Sequence, residues 1–208
     1  MTFILKLGLV FSAFVIVGLS SSATHAMPLN GDSAASTSGL MNVQVMESTG
    51  QLDANIEYAV YAPGSYPGTD PSAGSNWVYA YQVFNNSTGS VDLSQLSVGR
   101  LPGSTVNNVG HDPSYGTLSA GHIPTLMLQT SSSVIWNFLN SLIDPGEFSD
   151  VLLFTSPNSW SMGPGSIQNG GLAQTTTLPT PVPEPATMLI LSLSSMAMIG
   201  MRRRRRQA

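Results

Sequence analysis

One ten-residue stretch constrains the fold more than any other: Asn76 to Asn85, NWVYAYQVFN. Its side chains alternate with a period of two. Trp77, Tyr79, Tyr81 and Val83 fall on one face of an extended strand, and Val78, Ala80, Gln82 and Phe84 on the other. Aromatic and β-branched residues at that period fit a pleated, half-buried surface, and no helix places every second residue on one side. Weaker forms of the pattern precede it: Met41, Val43 and Val45 alternate with Asn42 and Gln44, and Ile56, Tyr58 and Val60 surround Glu57. After it, NNSTGS makes a turn, and Val91 to Val98 is expected to return as the second strand of a hairpin.

Further strands are predicted at His122 to Thr130, Ser133 to Leu139 and Phe148 to Thr155, with a last strand-like piece at Ser166 to Leu172. Turns such as Asp144-Pro145-Gly146 separate them. The segment Val134 to Ile143, VIWNFLNSLI, also satisfies a short helix, and both readings stand. A chain of 208 residues supports one core of ordinary size once targeting ends are removed. Short strands at short, turn-rich intervals define the expected class: all-β, a single β-sandwich with Greek-key-like connections over residues 40–173. Residues 27–39 carry no large apolar side chain after Leu29 and read as a flexible lead-in, while 174–181 read as a Thr/Pro linker.

The distribution of charge excludes one class of partner. Lys6 and Arg202 to Arg206 account for six of the seven basic residues, so between Met27 and Pro183 one basic residue, Arg100, faces ten acids, a net charge of −9. Such a body repels phosphate backbones and lacks the basic face that nucleic-acid binding requires. The chain has no Cys, which removes disulfides, thiolate metal sites and a Cys nucleophile together.

Both ends have the layout of targeting segments. MTFILKLGLVFSAFVIVGLSSSATHA places one lysine before an apolar run from Leu7 to Leu19 and then small residues, the three-part order of a secretory signal peptide over residues 1–26. Cleavage by signal peptidase is expected after Ala26, with Ala23 as the second choice. The thirteen-residue run is shorter than the roughly 20 residues that span a bilayer. At the other end, Ala186 to Met201 is uncharged but diluted by serine, and as a helix its sixteen residues cover about 24 Å of a roughly 30 Å hydrocarbon layer. Arg202, Arg203, Arg204, Arg205 and Arg206 follow and are expected to stay on the cytoplasmic side as a stop. Before the apolar segment stands Pro183-Glu184-Pro185, whose prolines cannot continue a helix and leave backbone that a protease can reach.

That order of Pro-Glu-Pro, short apolar segment and terminal arginine cluster resembles the PEP-CTERM sorting signal of Gram-negative and related bacteria, over Val182 to Arg206. The resemblance implies recognition of Pro183, Glu184 and Pro185 by an exosortase, a membrane-embedded processing enzyme. It removes a transmembrane helix, here 186–201, and releases or transfers the body to the cell surface or an extracellular polysaccharide matrix. An ordinary single-pass anchor that is never cut is the plainer reading of the same residues. The alternating strand with its NNSTG turn, together with SDVLLFTSPNSW, also resembles the β-sandwich bodies that often precede such signals.

Little in the body points to catalysis. His111 and His122 are its two candidate bases, and neither a Gly-x-Ser-x-Gly elbow nor a paired-His motif accompanies them. Asp53, Glu57, Asp144, Glu147 and Asp150 are the acids that a glycoside hydrolase or a calcium site would use, but they stand beside turns and form no Asp-x-Asp-x-Asp-Gly loop. No cofactor or metal is expected. Among the aromatics, Trp77, Tyr79, Tyr81 and Trp136 read as core sooner than as a sugar-stacking platform, whereas Tyr66, Tyr115 and Trp160 sit in loop-like sequence and are the candidates for stacking on a ligand. The sequence therefore describes an exported, non-enzymatic surface or matrix protein. A carbohydrate-binding module and an extracellular hydrolase are its two rivals.

Overall fold

The computed structural model describes residues 28–183 apart from 48–49, 119 and 170–172. Ala26, Glu184, Pro185, the expected membrane segment and Arg202 to Arg206 lie outside the described residues. Among the described residues no helix is long and apolar enough to cross a membrane.

Ten strands follow one another: β1 (Thr37–Glu47), β2 (Gly50–Tyr61), β3 (Trp77–Asn85), β4 (Gln95–Gly99), β5 (Asn107–Asp112), β6 (Leu126–Gln129), β7 (Ser133–Asn137), β8 (Val151–Ser156), β9 (Trp160–Gln168) and β10 (Ala173–Pro181). They form two five-stranded antiparallel sheets, ordered β1-β2-β3-β8-β5 and β10-β9-β4-β7-β6. The connections after β3, β4, β5, β7 and β8 cross from one sheet to the other.

The alternation in β3 builds the core as read. Tyr79, Tyr81 and Val83 face inward beside Ile56, Leu152 and Phe154, and meet Leu96, Val98, Val134, Trp136, Ile167 and Leu178 of the second sheet. Phe154 stacks on Tyr79 with ring centroids 4.7 Å apart and lies 6.1 Å from Trp136 across the sheets. The buried Trp136 also donates its indole N–H to the Gly110 carbonyl at 3.0 Å, so the ring ties β7 to β5.

Part of the first sheet, over β2, β3 and β8, is buried on its outer face as well. Ala59, Tyr61, Val78, Ala80, Val151 and Leu153 pack there under Leu29, Tyr66 and Tyr115, which arrive from segments outside the strands. That second layer explains why every residue of β8 is buried, in place of the one-sided alternation of a sheet that faces water.

Three expectations are corrected. The stretch expected to close a hairpin on β3 instead crosses the sandwich: β4 pairs with β7 and β9, while β3 pairs with β2 and β8. The turn is steered by β2, since Asn86 N–H donates to the Asp53 carbonyl at 2.8 Å and Ser90 N–H to that of Gln51 at 2.9 Å. The lead-in is packed, with Leu29 fully buried and Asp32 nearly so, and β1 begins at Thr37. The Thr/Pro linker is strand β10, paired with β9 along its whole length from Ala173↔Gln168 to Pro181↔Trp160. Proline suits this position because β10 is an edge: Pro179 and Pro181, two residues apart, present their missing N–H groups to the same side. Of Val134 to Ile143, where helix and strand both stood, only the first part is regular, and it is strand, with β7 ending at Asn137.

Candidate functional site

The outer layer over the first sheet gathers a buried polar network. Tyr61 sits at the end of β2, and Tyr66 and Tyr115 approach it from two loops. The three rings meet edge to face, with centroids 5.0, 6.4 and 5.3 Å apart. Asp32, from the packed lead-in, accepts from the Tyr61 hydroxyl at 2.7 Å and from the Tyr115 hydroxyl by a shorter bond. Asp112, at the end of β5, accepts from the Tyr66 hydroxyl and the Thr69 N–H, each at 3.1 Å, and from Ser114 N–H and Oγ at 2.9 and 2.6 Å.

Electrostatics follow from this geometry. Burial works against ionisation of Asp32, but the donors Tyr115, Tyr61 and the Ala34 N–H outweigh it, and the carboxyl is held below the usual range. Burial likewise opposes ionisation of Asp112, where Ser114, Thr69 and Tyr66 prevail. Burial pushes all three phenols up, Tyr115 to about 12, so each stays a neutral donor.

Tyr66 and Tyr115, expected on the surface, are thus 7% exposed and spend their hydroxyls on buried aspartates. Trp160 is half-buried, packed against the core between the sheets and opposite Pro181 in the ladder. None of the three forms an open stacking face: the loops of Tyr66 and Tyr115 fold back over the first sheet, and Trp160 opens strand β9.

Beside this layer a cleft of about 410 Å³ is lined by Thr69, Pro71, Asn108, His111 and Asp112 among others. His111 lies on β5, and its Nδ1 is 2.9 Å from Oδ2 of the buried Asp150, whose Oδ1 has no partner. His122 is held separately, with Nε2 2.6 Å from Glu147 Oε2 and Nδ1 3.0 Å from Ser141 Oγ. Two other acids accept from side-chain donors. Asp53 accepts from Thr88 and Asn86, which hold its carboxyl below the usual range against burial, and Glu57 accepts from the Thr117 hydroxyl. Among the described residues, no group of three or more His, Cys, Asp or Glu is placed to hold a metal ion. Asp32 and Tyr61 escaped the sequence reading because Asp32 stands among small polar residues that carry no periodic signal.

The start of the sorting motif is joined to the body without a spacer. The last four residues of β10, Leu178 to Pro181, are buried. Tyr81 donates its hydroxyl to the Pro179 carbonyl at 2.5 Å, Thr180 donates to that of Gly99, and Val182 N–H reaches the Ser159 carbonyl at 2.8 Å. Pro183 then lies against Gly103, where an added Cβ would stand 3.4 Å from the proline ring. Of the expected motif, Pro183 is the member among the described residues.

Residues 181–206 match the family model described as the PEP-CTERM protein-sorting motif. No curated protein and no solved structure matches the chain. An all-β body ending in this motif defines a class, that of exported proteins sorted through a membrane-anchored precursor with an exosortase as the sorting partner. The chain is a PEP-CTERM domain-containing protein.

Proposed function

We propose that this chain is a non-enzymatic component of the cell surface or of an extracellular polysaccharide matrix, cut by an exosortase at Pro183-Glu184-Pro185 and acting through its sandwich as a structural or binding element. The matched motif at residues 181–206, which begins on the last residue of β10, carries the reading. The body favours a structural role over a sugar-stacking one, because Tyr66 and Tyr115 are closed into the Asp32 and Asp112 network. His111 and His122 are each held by a different carboxylate, an arrangement that suits fixed positions better than turnover.

Intact-mass measurement on protein from the cell surface and the medium tests the proposal. The expected mature chain begins at Met27 and ends near the motif. A finished protein that keeps its arginine tail would replace the sorting claim with a permanent anchor. Changing Pro183-Glu184-Pro185 to Ala-Ala-Ala should preserve export and trap the precursor in the membrane; normal release of that variant would remove the motif from the account.

A further inference from the structure

The edge strand β6 is the feature that the sorting role leaves unused. All four of its residues are exposed, and Leu126, Met127 and Leu128 join Ile123 and Leu139 as large apolar side chains open to solvent, from 39% for Met127 to 65% for Leu139. From Ile123 to Ile143 the sequence holds no charged residue. Natural edges are usually guarded by a charge, a proline or an irregular register. The opposite edge of the same sheet has Pro179 and Pro181, and β5 has a register shift between Asn107 and Gly110. β6 has none of these.

The backbone phase is set by β7. Thr130 N–H donates to the Ser133 carbonyl at 2.8 Å, and Leu128 and Leu126 stand opposite Ile135 and Asn137. In an antiparallel ladder alternate residues bond to the same neighbour, so Leu126 and Leu128 bond inward while Met127 and Gln129 direct N–H and C=O groups away from β7.

We propose that β6 pairs antiparallel with β6 of a second copy of this chain, about a two-fold axis at Leu128, joining the two second sheets into one ten-stranded sheet. An antiparallel edge is complementary to itself under a two-fold, which is what an isologous contact requires. In this register Met127 and Gln129 of one copy exchange four backbone bonds with Gln129 and Met127 of the other, and the two Leu128 side chains lie side by side. Charge selects the same place. Two bodies each carrying −9 between Met27 and Pro183 repel, and the uncharged β6 region lets them meet without opposing carboxylates. A four-residue strand buries little area, so the association belongs to the weak, concentration-dependent class.

The test uses protein purified from its producing cells in mild detergent, in whichever processed form it occurs. Sedimentation should show a monomer–dimer equilibrium. The chain has no cysteine, so Leu128→Cys introduces one thiol whose partner, on the two-fold, has its Cα about 4.5 Å away, within the range a disulfide spans. L128C should form a covalent dimer at least about ten times faster than T177C, an exposed position on the opposite edge, because only the first pair is held together. Met127→Pro removes an N–H that β7 does not use, and should weaken association at least about tenfold while the melting temperature is kept. Leu128→Lys, which only adds a charge to an exposed position, should do the same. A monomer at every concentration, equal cross-linking of L128C and T177C, or dimers unaffected by both M127P and L128K would overturn the proposal. So would a monomer that holds matrix polysaccharide through Leu128.

Discussion

The hydroxyl of Tyr81 in β3 donates to the carbonyl of Pro179 in β10 at 2.5 Å, a bond that reaches from the centre of one sheet to the edge strand of the other. Tyr81 is fully buried, and burial with the neighbouring Tyr79 holds its phenol protonated and able to donate. Tyr81→Phe keeps the ring and strands the carbonyl, so a loss of about 1 to 3 kcal/mol is expected in urea unfolding. Hydrogen exchange should show β10 opening first. An unchanged midpoint with β10 protected would refute this link.

Tyr79→Ala removes a buried ring stacked on Phe154 and is expected to cost about 3 to 5 kcal/mol, a large part of the roughly 5 to 15 kcal/mol that holds a domain folded. Calorimetry should show a broad, early transition. A variant that melted like its parent but lost matrix retention would make the ring a binding site.

Acid should loosen the outer layer. Asp32, Asp53 and Asp112 all have folded-state values below the ordinary carboxylate range, near 4. Depressed groups stabilise the fold fully above their unfolded values, and that contribution is lost as pH falls through the folded ones. Melting temperature should therefore hold above about pH 5 and decline below about pH 4. Asp32→Asn should lower stability at neutral pH and flatten part of that decline. A parallel curve displaced to lower stability at every pH would mean that its ionisation is not linked to folding.

Gly121 allows the His122 segment to lie against residues Ser149 and Asp150, just ahead of β8. An added Cβ would stand 2.3 Å from the Ser149 carbonyl carbon and 2.6 Å from the Asp150 nitrogen, both backbone atoms that cannot turn aside. Gly121→Ala should cost about 1 to 3 kcal/mol and weaken the His122–Glu147 contact. Full stability of this variant, read from its denaturation midpoint, would show that the segment can shift freely.

How much of this was legible depended on whether a signal was local. Alternation in β2 and β3 named the inward residues, and the C-terminal motif was read from its order. Periodicity reports which face a residue takes, but not which sheet its strand joins, so the crossing after Asn85 stayed hidden; it is decided by Asp53 and Gln51, more than thirty residues back in the chain. Tyr66 and Tyr115 misled because a loop aromatic is surface-like until a second layer covers it, and that layer needs Leu29 and Asp32 from the far end of the body. Strand β10 escaped because TTTLPTP has the composition of a spacer, and only an edge position makes its prolines acceptable.

Strand β10 is the last piece of the second sheet in chain order and ends two residues before Pro183. On the proposed route, with the N-terminus exported first, β9 would lack its outer partner, and the Tyr81 hydroxyl its acceptor, until Pro179 and Pro181 had crossed the membrane. The sandwich would then close as its sorting motif arrives. On that route completion of folding and presentation to the exosortase would be one event, and a chain stalled a few residues early would offer neither a finished body nor a substrate.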